Sequence, residues 1–295
     1  MSHLAIPKPR PAIDPLCVGD RRLGFGDQAY VMGVVNVTPD SFSDGGRFLE
    51  SERAVEHALS LHEAGAHIID IGGESTRPGA DPVEACREID RVVPVVEAVS
   101  RHCDAWISVD TYKAAVADAA VDAGAHIIND ISALGFDDEM AQIVARRECA
   151  LSLMHIRKTP KTMQHQISYD DVVEDILSHL DQRIDRAVDA GIDPSRIIVD
   201  PGIGFGKTVE HNYRLLRELH RFTELKCPIL VGTSRKSFIG AVTDKPAPER
   251  LWGTAATVAC SIFAGADIVR VHDVEEMIDV VGVTEALCDM GRQGR

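Results

Sequence analysis

The chain lacks a long apolar segment, a CxxC pair and an excess of basic residues. No stretch approaches the roughly 18 apolar residues that a membrane-spanning helix needs. Its 7 cysteines are scattered and odd in number, which disfavours a disulfide framework or a zinc site and favours reduced thiols. Acidic residues outnumber basic ones, 46 to 31, and give a net charge of -15, which disfavours nucleic acid or a membrane surface as partner. Anionic ligands therefore need a local basic cluster.

The N-terminal segment, MSHLAIPKPRPAIDP, is rich in proline and has neither a continuous apolar core nor a signal-cleavage pattern. Without such a pattern, we expect a cytoplasmic protein. The rest of the chain contains no low-complexity linker, and a chain of this length can bury one large core. We therefore predict a flexible segment over residues 1–15 and a single domain over residues 16–295.

Short β-branched runs alternate along the chain with longer amphipathic stretches, a pattern typical of repeated β-α units. The eight runs span residues 31–37, 67–72, 106–110, 127–131, 150–154, 196–200, 228–232 and 267–271. Three of the helical stretches end in Ala-Gly-Ala just before a strand, as expected for helix stops. Eight such units predict a single α/β domain with the (β/α)8 TIM-barrel fold, and an open doubly wound sheet is the weaker alternative. Upstream, the Gly19-Asp20 turn predicts a β-hairpin that closes the bottom of the barrel.

Polar or charged residues follow almost every predicted strand. They are Asn36, Asp70, Asp110, Asn129, His155, Asp200, residues 233–236, Arg270 and His272. Any one of them could be a helix N-cap. Together they would converge at the C-terminal mouth of the barrel, where so many polar groups would be costly to desolvate without a polar ligand. The pattern therefore predicts a ligand site at this mouth.

The residue types at these strand ends indicate the kind of ligand. Asp110, Asn129 and Asp200 suit a planar heterocycle with adjacent N–H donors, because a carboxylate can accept two such bonds in a fork. Cationic side chains follow predicted strands two, seven and eight, and barrel enzymes often bind phosphate at the loops after the last two strands. These are Arg77, Lys236, Arg270 and His272. We predict a nitrogen-rich ring with a phosphate tail.

Two other motifs give only weak evidence for a nucleotide site or a metal site. GIGFGKT, residues 202–208, imitates a phosphate-binding loop, but that motif would need glycine at Pro201, and a dinucleotide fingerprint would need glycine at Lys207. We interpret it as a tight turn between strand and helix. His155 and His165 lack the i,i+4 spacing of a helical metal site, so His155 is expected to form hydrogen bonds at the mouth.

Seven motifs in sequence order make the chain resemble the dihydropteroate synthase family of pterin-binding TIM-barrel enzymes, over nearly everything after residue 30. They are NVTPDSFSDGG, DIGGESTRPGA, SVDTYK, NDIS, DPGIGFGKT, TSRKSFIG and VRVHDV. The resemblance implies a transferase of folate biosynthesis. In this reaction, para-aminobenzoate displaces pyrophosphate from 6-hydroxymethyl-7,8-dihydropterin pyrophosphate to give 7,8-dihydropteroate.

The resemblance also implies roles for individual residues. For the pterin they are Asp110, Asn129, Met154, Asp200, Phe205 and Lys236. For pyrophosphate they are Asn36, Thr76, Arg77, Arg270 and His272, with Asn36 also holding a Mg²⁺ ion. For para-aminobenzoate, and for sulfonamides as competitive inhibitors, they are Phe42, Pro78, Lys236 and Ser237. The catalytic residues would be Asp44, Asp110, Asp200 and Lys236, and the enzyme would be a homodimer formed through its last helices.

For the reaction, we expect an SN1-like path within loops that close over the substrates, with direct displacement as the alternative. The rival functions are a methyltetrahydrofolate-type pterin methyltransferase, a non-catalytic pterin-binding paralogue and a sugar-phosphate barrel enzyme. One position departs from the family pattern: Lys158 stands where the family often has glycine. It is either a tolerated surface substitution or a charge that alters loop motion.

Overall fold

The computed structural model of the chain describes residues 13–38 and 46–288, with the backbone only for 46–49. A short hairpin of β1 (Leu16–Val18) and β2 (Arg21–Leu23) comes first. Eight more strands follow: β3 (Tyr30–Asn36), β4 (Ile68–Gly72), β5 (Trp106–Asp110), β6 (Ile127–Asp130), β7 (Ala150–Met154), β8 (Ile197–Asp200), β9 (Leu230–Val231) and β10 (Ile268–Val271). Each lies within one of the predicted runs or extends it by a single residue.

Helices separate the strands and form an outer layer. They are α1 (Gly46–Glu63), α2 (Ala85–His102), α3 (Ala114–Asp122), α4 (Met140–Arg147), α5 (Val172–Asp189), α6 (Val209–Arg217), α7 (Ser237–Thr243), α8 (Leu251–Phe263) and α9 (Val274–Cys288). Gly65, Gly124 and Gly265 have φ of +102°, +113° and +101°, the left-handed conformation that glycine adopts most readily after a helix. The predicted Ala-Gly-Ala stops are thereby confirmed. Within the described ranges, no helix is long and apolar enough to cross a membrane.

The eight strands are parallel and form one sheet with the order β8-β7-β6-β5-β4-β3-β10-β9. Its two edges meet where Val199 of β8 bridges Ile229, and the Val199 amide donates to the Pro228 carbonyl at 2.9 Å. This contact closes the sheet. The predicted (β/α)8 barrel is confirmed, and the open-sheet alternative is wrong.

Alternate residues of each strand pack on opposite faces of the barrel wall, as the two-residue period of a strand requires. Ile69 and Ile107 pack in the large core between strands and helices. The strand starts form a separate interior cluster with Leu16 and Leu23 of the hairpin. Because both leucines are buried against the strand starts, the hairpin closes the bottom of the barrel as predicted. The predicted domain limits stay a prediction, since residues 1–12 lie outside the described ranges.

Candidate active site

The interior of the barrel changes from apolar to polar within two residues along several strands. Ile68, Trp106, Ile127, Ala150, Ile198 and Ile268 belong to the apolar bottom cluster. Two positions further along the same strands stand Asp70, Ser108, Asn129, Ser152, Asp200 and Arg270. Side chains two residues apart point to the same face, so these polar groups form the next interior layer, directly below the mouth.

A buried ion cluster lies in the centre of this polar layer. Arg270 Nε donates to Asp70 Oδ2 at 2.6 Å, and Arg270 Nη2 donates to Asp110 Oδ2 at 3.0 Å. Both carboxylates are buried. Burial and the nearby Asp70 carboxylate raise the pKa of Asp110 to about 7, against the opposing effect of Arg270. One guanidinium is therefore paired with two buried acids, and its single positive charge does not balance two carboxylates.

Several buried oxygens around this cluster have no hydrogen-bond partner among the described residues. They are Asp70 Oδ1, Asp110 Oδ1, Asn129 Oδ1, Ser108 Oγ and Ser152 Oγ. An acceptor left unpaired in a buried site costs roughly 1–3 kcal/mol. Asp110 and Asn129 stand side by side in the β5–β6 register, so their free oxygens offer adjacent acceptors to a ligand that carries adjacent N–H groups.

A second pair of opposite charges, Asp200 and Lys236, lies at the mouth of the barrel. Asp200 ends β8, and its Oδ1 accepts a hydrogen bond from the Gly202 amide at 2.7 Å. Burial raises the pKa of Asp200. Burial likewise lowers the pKa of Lys236 to about 8, although the Asp200 charge opposes this. Lys236 Nζ donates to the Ile203 carbonyl and lies 4.5 Å from the centre of the Phe205 ring.

An apolar wall adjoins this pair. Met154 is buried at the end of β7, in one cluster with Ile131, Ile156 and Met163, against which Phe205 and Tyr112 pack. A flat ring could therefore contact Met154 and Phe205 while its edge meets the free acceptors. The residues expected to contact the pterin lie at the ends of consecutive strands, β5 to β9, or on the loops that follow them. They are Asp110, Asn129, Met154, Asp200, Phe205 and Lys236.

The GIGFGKT segment is a tight turn between β8 and α6, as the sequence predicted. Gly202 has φ of +67°, and a Cβ there would lie 1.9 Å from the His155 carbonyl oxygen, so only glycine fits. Lys207 is buried and donates to the Phe205 carbonyl at 2.9 Å, and its Nζ lies 3.0 Å from His155 Nδ1. The motif thus fixes the position of Phe205, and Lys207 does not reach out toward a nucleotide.

The anion side of the mouth contains His272 and Arg270. His272 Nδ1 lies 2.9 Å from Ser234 Oγ. Burial, together with the Arg270 and Arg235 charges, lowers the pKa of His272 to about 4. His272 was expected to be a cation, but at pH 7 its imidazole is neutral, so Arg77, Lys236 and Arg270 supply the positive charge on this side of the mouth.

The remaining predicted site residues lie at the rim. Asn36 ends β3 with its side chain exposed, Arg77 and Pro78 are exposed on the β4–α2 loop, and Thr76 is half-buried there. Ser237 is the exposed first residue of α7. Phe42 and Asp44 lie outside the described residues.

A buried network at the base of the β4–α2 loop was missed in the sequence analysis. Lys113 Nζ donates to Glu74 Oε2 at 2.6 Å and also to Glu88. Glu74 further accepts hydrogen bonds from the Tyr112 hydroxyl and the Val83 amide, each at 2.7 Å. The network joins both ends of the loop that carries Thr76 and Arg77. The sequence contains both partners within recognised motifs, Glu74 in DIGGES and Lys113 in SVDTYK, but no local pattern indicates that they pair.

The possible metal sites are limited in the described part of the chain. No group of three or more His, Cys, Asp or Glu side chains comes together there. The exposed Asn36 amide offers one oxygen ligand, and Mg²⁺ usually takes the rest of its ligands from waters and substrate phosphate oxygens.

Lys158 occupies a position with φ of +65°, a conformation that favours glycine. Its Nζ donates to the His165 carbonyl at 2.6 Å. The substitution therefore retains a glycine-like backbone and adds a contact within the β7–α5 loop.

This fold and this site define a class, the barrel enzymes that bind a pterin. The family model for pterin binding enzymes matches residues 32–272. The chain is 47% identical over 274 residues to the dihydropteroate synthase of Synechocystis sp. PCC 6803, covering 92% of this chain and 95% of that protein. It is 47% identical over 269 residues to the Bacillus subtilis enzyme of the same name, covering 91% and 92%.

Solved structures agree with the sequence relatives. The Yersinia pestis dihydropteroate synthase in a sulfonamide complex superposes with a TM-score of 0.88 at 44% identity, over 93% of this chain and 99% of that one. The Xanthomonas albilineans enzyme with 7,8-dihydropteroate gives a TM-score of 0.82 at 40% identity, over 92% and 98%. The chain belongs to the pterin-binding enzymes and, within them, to the dihydropteroate synthase family.

We predict that Asp200→Asn weakens binding of a pterin analogue by roughly tenfold to a hundredfold, because hydrogen bonds to a charged group contribute about 1.5–3 kcal/mol. Calorimetric titration measures the change. The matched control is Asp138→Asn, which alters a fully exposed aspartate paired with Arg186 and should bind the analogue normally. Equal affinity of the wild type and Asp200→Asn would remove Asp200 from the site.

Proposed function

We propose that the chain condenses 6-hydroxymethyl-7,8-dihydropterin pyrophosphate with para-aminobenzoate to give 7,8-dihydropteroate and pyrophosphate. The observation that carries this proposal is a pair of buried acceptors, Asp110 Oδ1 and Asn129 Oδ1, that have no hydrogen-bond partner within the described ranges. They lie beside the cations Arg270 and Lys236. A ring rich in N–H groups satisfies the acceptors, and a diphosphate satisfies the cations.

In this proposal the pterin lies in the polar layer with its N–H edge toward Asp110, Asn129 and Asp200. Met154 and Phe205 contact its faces. Lys236, which already lies near Asp200 and the Phe205 ring, donates a hydrogen bond to a ring acceptor. The buried acceptors and Lys236 then have partners on the ring, and this match favours a pterin over a sugar in so polar a pocket.

The pyrophosphate lies toward the rim, near Arg270, His272, Thr76 and Arg77. Asn36 would hold Mg²⁺ through its amide oxygen, and the ion would neutralise charge on the leaving group. His272 is neutral before binding, so its ring can donate one hydrogen bond to an anion. Protonation of His272 by solvent would add a charge as the anion arrives.

The reaction starts with cleavage of the bond between the exocyclic methylene carbon and the pyrophosphate oxygen, and pyrophosphate takes the electron pair. The methylene cation that remains is delocalised into the dihydropterin ring, where the Asp110 and Asp200 carboxylates stabilise it. The aniline nitrogen of para-aminobenzoate then attacks the carbon and releases its proton. We prefer this SN1-like course because two buried acids lie beside the ring, and direct displacement is the alternative.

The second substrate binds above the first, between Phe42, Pro78, Ser237 and the stem of Lys236. Asp44 belongs to the same NVTPDSFSDGG motif as Phe42, and its proposed role is to approach the developing charge. Sulfonamides, one of which is bound in the Yersinia pestis structure, would compete with para-aminobenzoate for this pocket.

A homodimer through the last helices completes the proposal. Trp252 of α8 is 77% exposed, and Val283 and Leu287 of α9 are 63% and 67% exposed. An exposed apolar surface on two neighbouring helices suits a second copy of the chain, and light scattering would measure the mass in solution. The cytoplasmic location stays a prediction.

We predict that the purified protein forms dihydropteroate and pyrophosphate in equal amounts from the two substrates, and that chelation of Mg²⁺ stops the reaction. Product analysis by chromatography measures both. Readdition of Mg²⁺ should restore turnover, and Asp138→Asn serves as an active control. Tight pterin binding without product formation would support the non-catalytic alternative.

We also predict that para-aminobenzoate binds poorly to the ligand-free protein and that pyrophosphate with a pterin strengthens its binding by about 5- to 150-fold, the usual range of coupling between linked sites. The proposed reason is that pyrophosphate and Mg²⁺ bring Asn36, Thr76 and Arg77 together, which completes the para-aminobenzoate pocket. Phe42→Ala should raise KM for para-aminobenzoate far more than KM for the pterin. Tight binding of para-aminobenzoate alone would indicate a preformed pocket.

A further inference from the structure

Asp70 lies in the middle of β4, below the predicted substrate contacts, and is fully buried. Its neighbours on either side in the chain, Ile69 and Ile71, pack against the helices, so Asp70 itself faces the barrel interior. No role was assigned to it among the pterin or pyrophosphate ligands.

One oxygen of Asp70 joins two residues of the proposed substrate site. Asp70 Oδ2 accepts from Arg270 Nε at 2.6 Å and from Asn129 Nδ2 at 3.4 Å. Arg270 is on β10 and Asn129 is on β6, each two strands away from β4 on opposite sides. The carboxylate therefore connects the anion side of the mouth with the ring side.

This connection fixes the orientation of both partners. A carboxylate only accepts hydrogen bonds, so the Asn129 amide must turn its Nδ2 toward Asp70. Its Oδ1 is then a buried acceptor that has no partner in the part of the chain that the structure describes. Arg270 uses Nε for Asp70 and Nη2 for Asp110, and this pairing sets the plane of its guanidinium.

We propose that Asp70 is a positioning residue that sets the donor–acceptor pattern of the pterin site, by holding the Asn129 amide oxygen toward the ring and Arg270 toward the leaving group. The proposal rests on the proposed function. Without the Asp70 carboxylate, the Asn129 amide can rotate and turn its Nδ2 toward the ring. The amide N–H groups then face the ring N–H groups and repel them, where Oδ1 would have accepted their hydrogen bonds.

A second consequence concerns charge. The Asp70 carboxylate is one of the groups that raise the pKa of Asp110. If this charge is removed, Arg270 pairs with the Asp110 carboxylate only. The pKa of Asp110 should then fall. A change at Asp70 that acted only on packing would not move this titration.

The test is Asp70→Asn, which keeps the shape of the side chain. We expect pterin affinity to fall by roughly tenfold or more, since hydrogen bonds to charged groups contribute about 1.5–3 kcal/mol. We also expect the acidic limb of the rate profile to move to lower pH. The matched control is Asp122→Asn, an exposed aspartate paired with Arg147, which should match the wild type in both readouts.

The exchange variant Asp70→Asn/Asn129→Asp keeps one carboxylate and one amide in the pair. It tests the positioning role of Asp70 even if Asp70→Asn does not fold. It should recover most of the pterin affinity that the single variant Asn129→Asp loses. A folded Asp70→Asn with unchanged pterin affinity and pH profile would overturn the proposal, as would an exchange variant no better than Asn129→Asp. In either case, turnover by the wild type and by Asp122→Asn leaves the proposed function intact.

Discussion

The contact between the Arg270 guanidinium and the Asp70 and Asp110 carboxylates is the interaction on which the rest of the site depends. Three charged groups are removed from water inside a barrel, and the loss of one partner from such a cluster typically costs about 3–5 kcal/mol. Several acceptor oxygens beside the cluster have no hydrogen-bond partner among residues 13–38 and 46–288. A ligand with N–H groups and an anionic tail would pair with these acceptors and with the cations beside them. The buried polar groups that destabilise the barrel therefore favour a substrate of this kind.

The barrel can hold such a cluster because its two ends differ. At the bottom, Leu16 and Leu23 of the hairpin pack on the apolar strand starts and exclude water. Along each strand the interior position two residues later is polar, and the closed sheet satisfies the backbone hydrogen bonds around it. The barrel wall therefore holds Asp110, Asn129 and Asp200 in place, while Thr76 and Arg77 lie on the β4–α2 loop at the rim.

Much of this architecture could be predicted from local sequence, and the rest depends on contacts between distant residues. The strand runs and the Gly65, Gly124 and Gly265 stops follow from periodicity and backbone preference. The placement of polar groups such as Asp200 at strand ends follows from the fold rule for barrels. The pairing of Asp70 with Arg270 spans 200 positions, and no local pattern reveals it. The neutral state of His272 depends on its burial beside Arg270 and Arg235, which the residue type alone does not indicate.

The most direct test of this account changes the ligand and leaves the protein intact. Calorimetry can compare 6-hydroxymethyl-7,8-dihydropterin with an analogue in which hydrogen replaces the 2-amino group. If the buried carboxylate and amide oxygens bind the N–H edge of the ring, the analogue should bind roughly tenfold to a hundredfold more weakly, because charged acceptors lose their donors. Equal affinities for the two compounds would contradict the account.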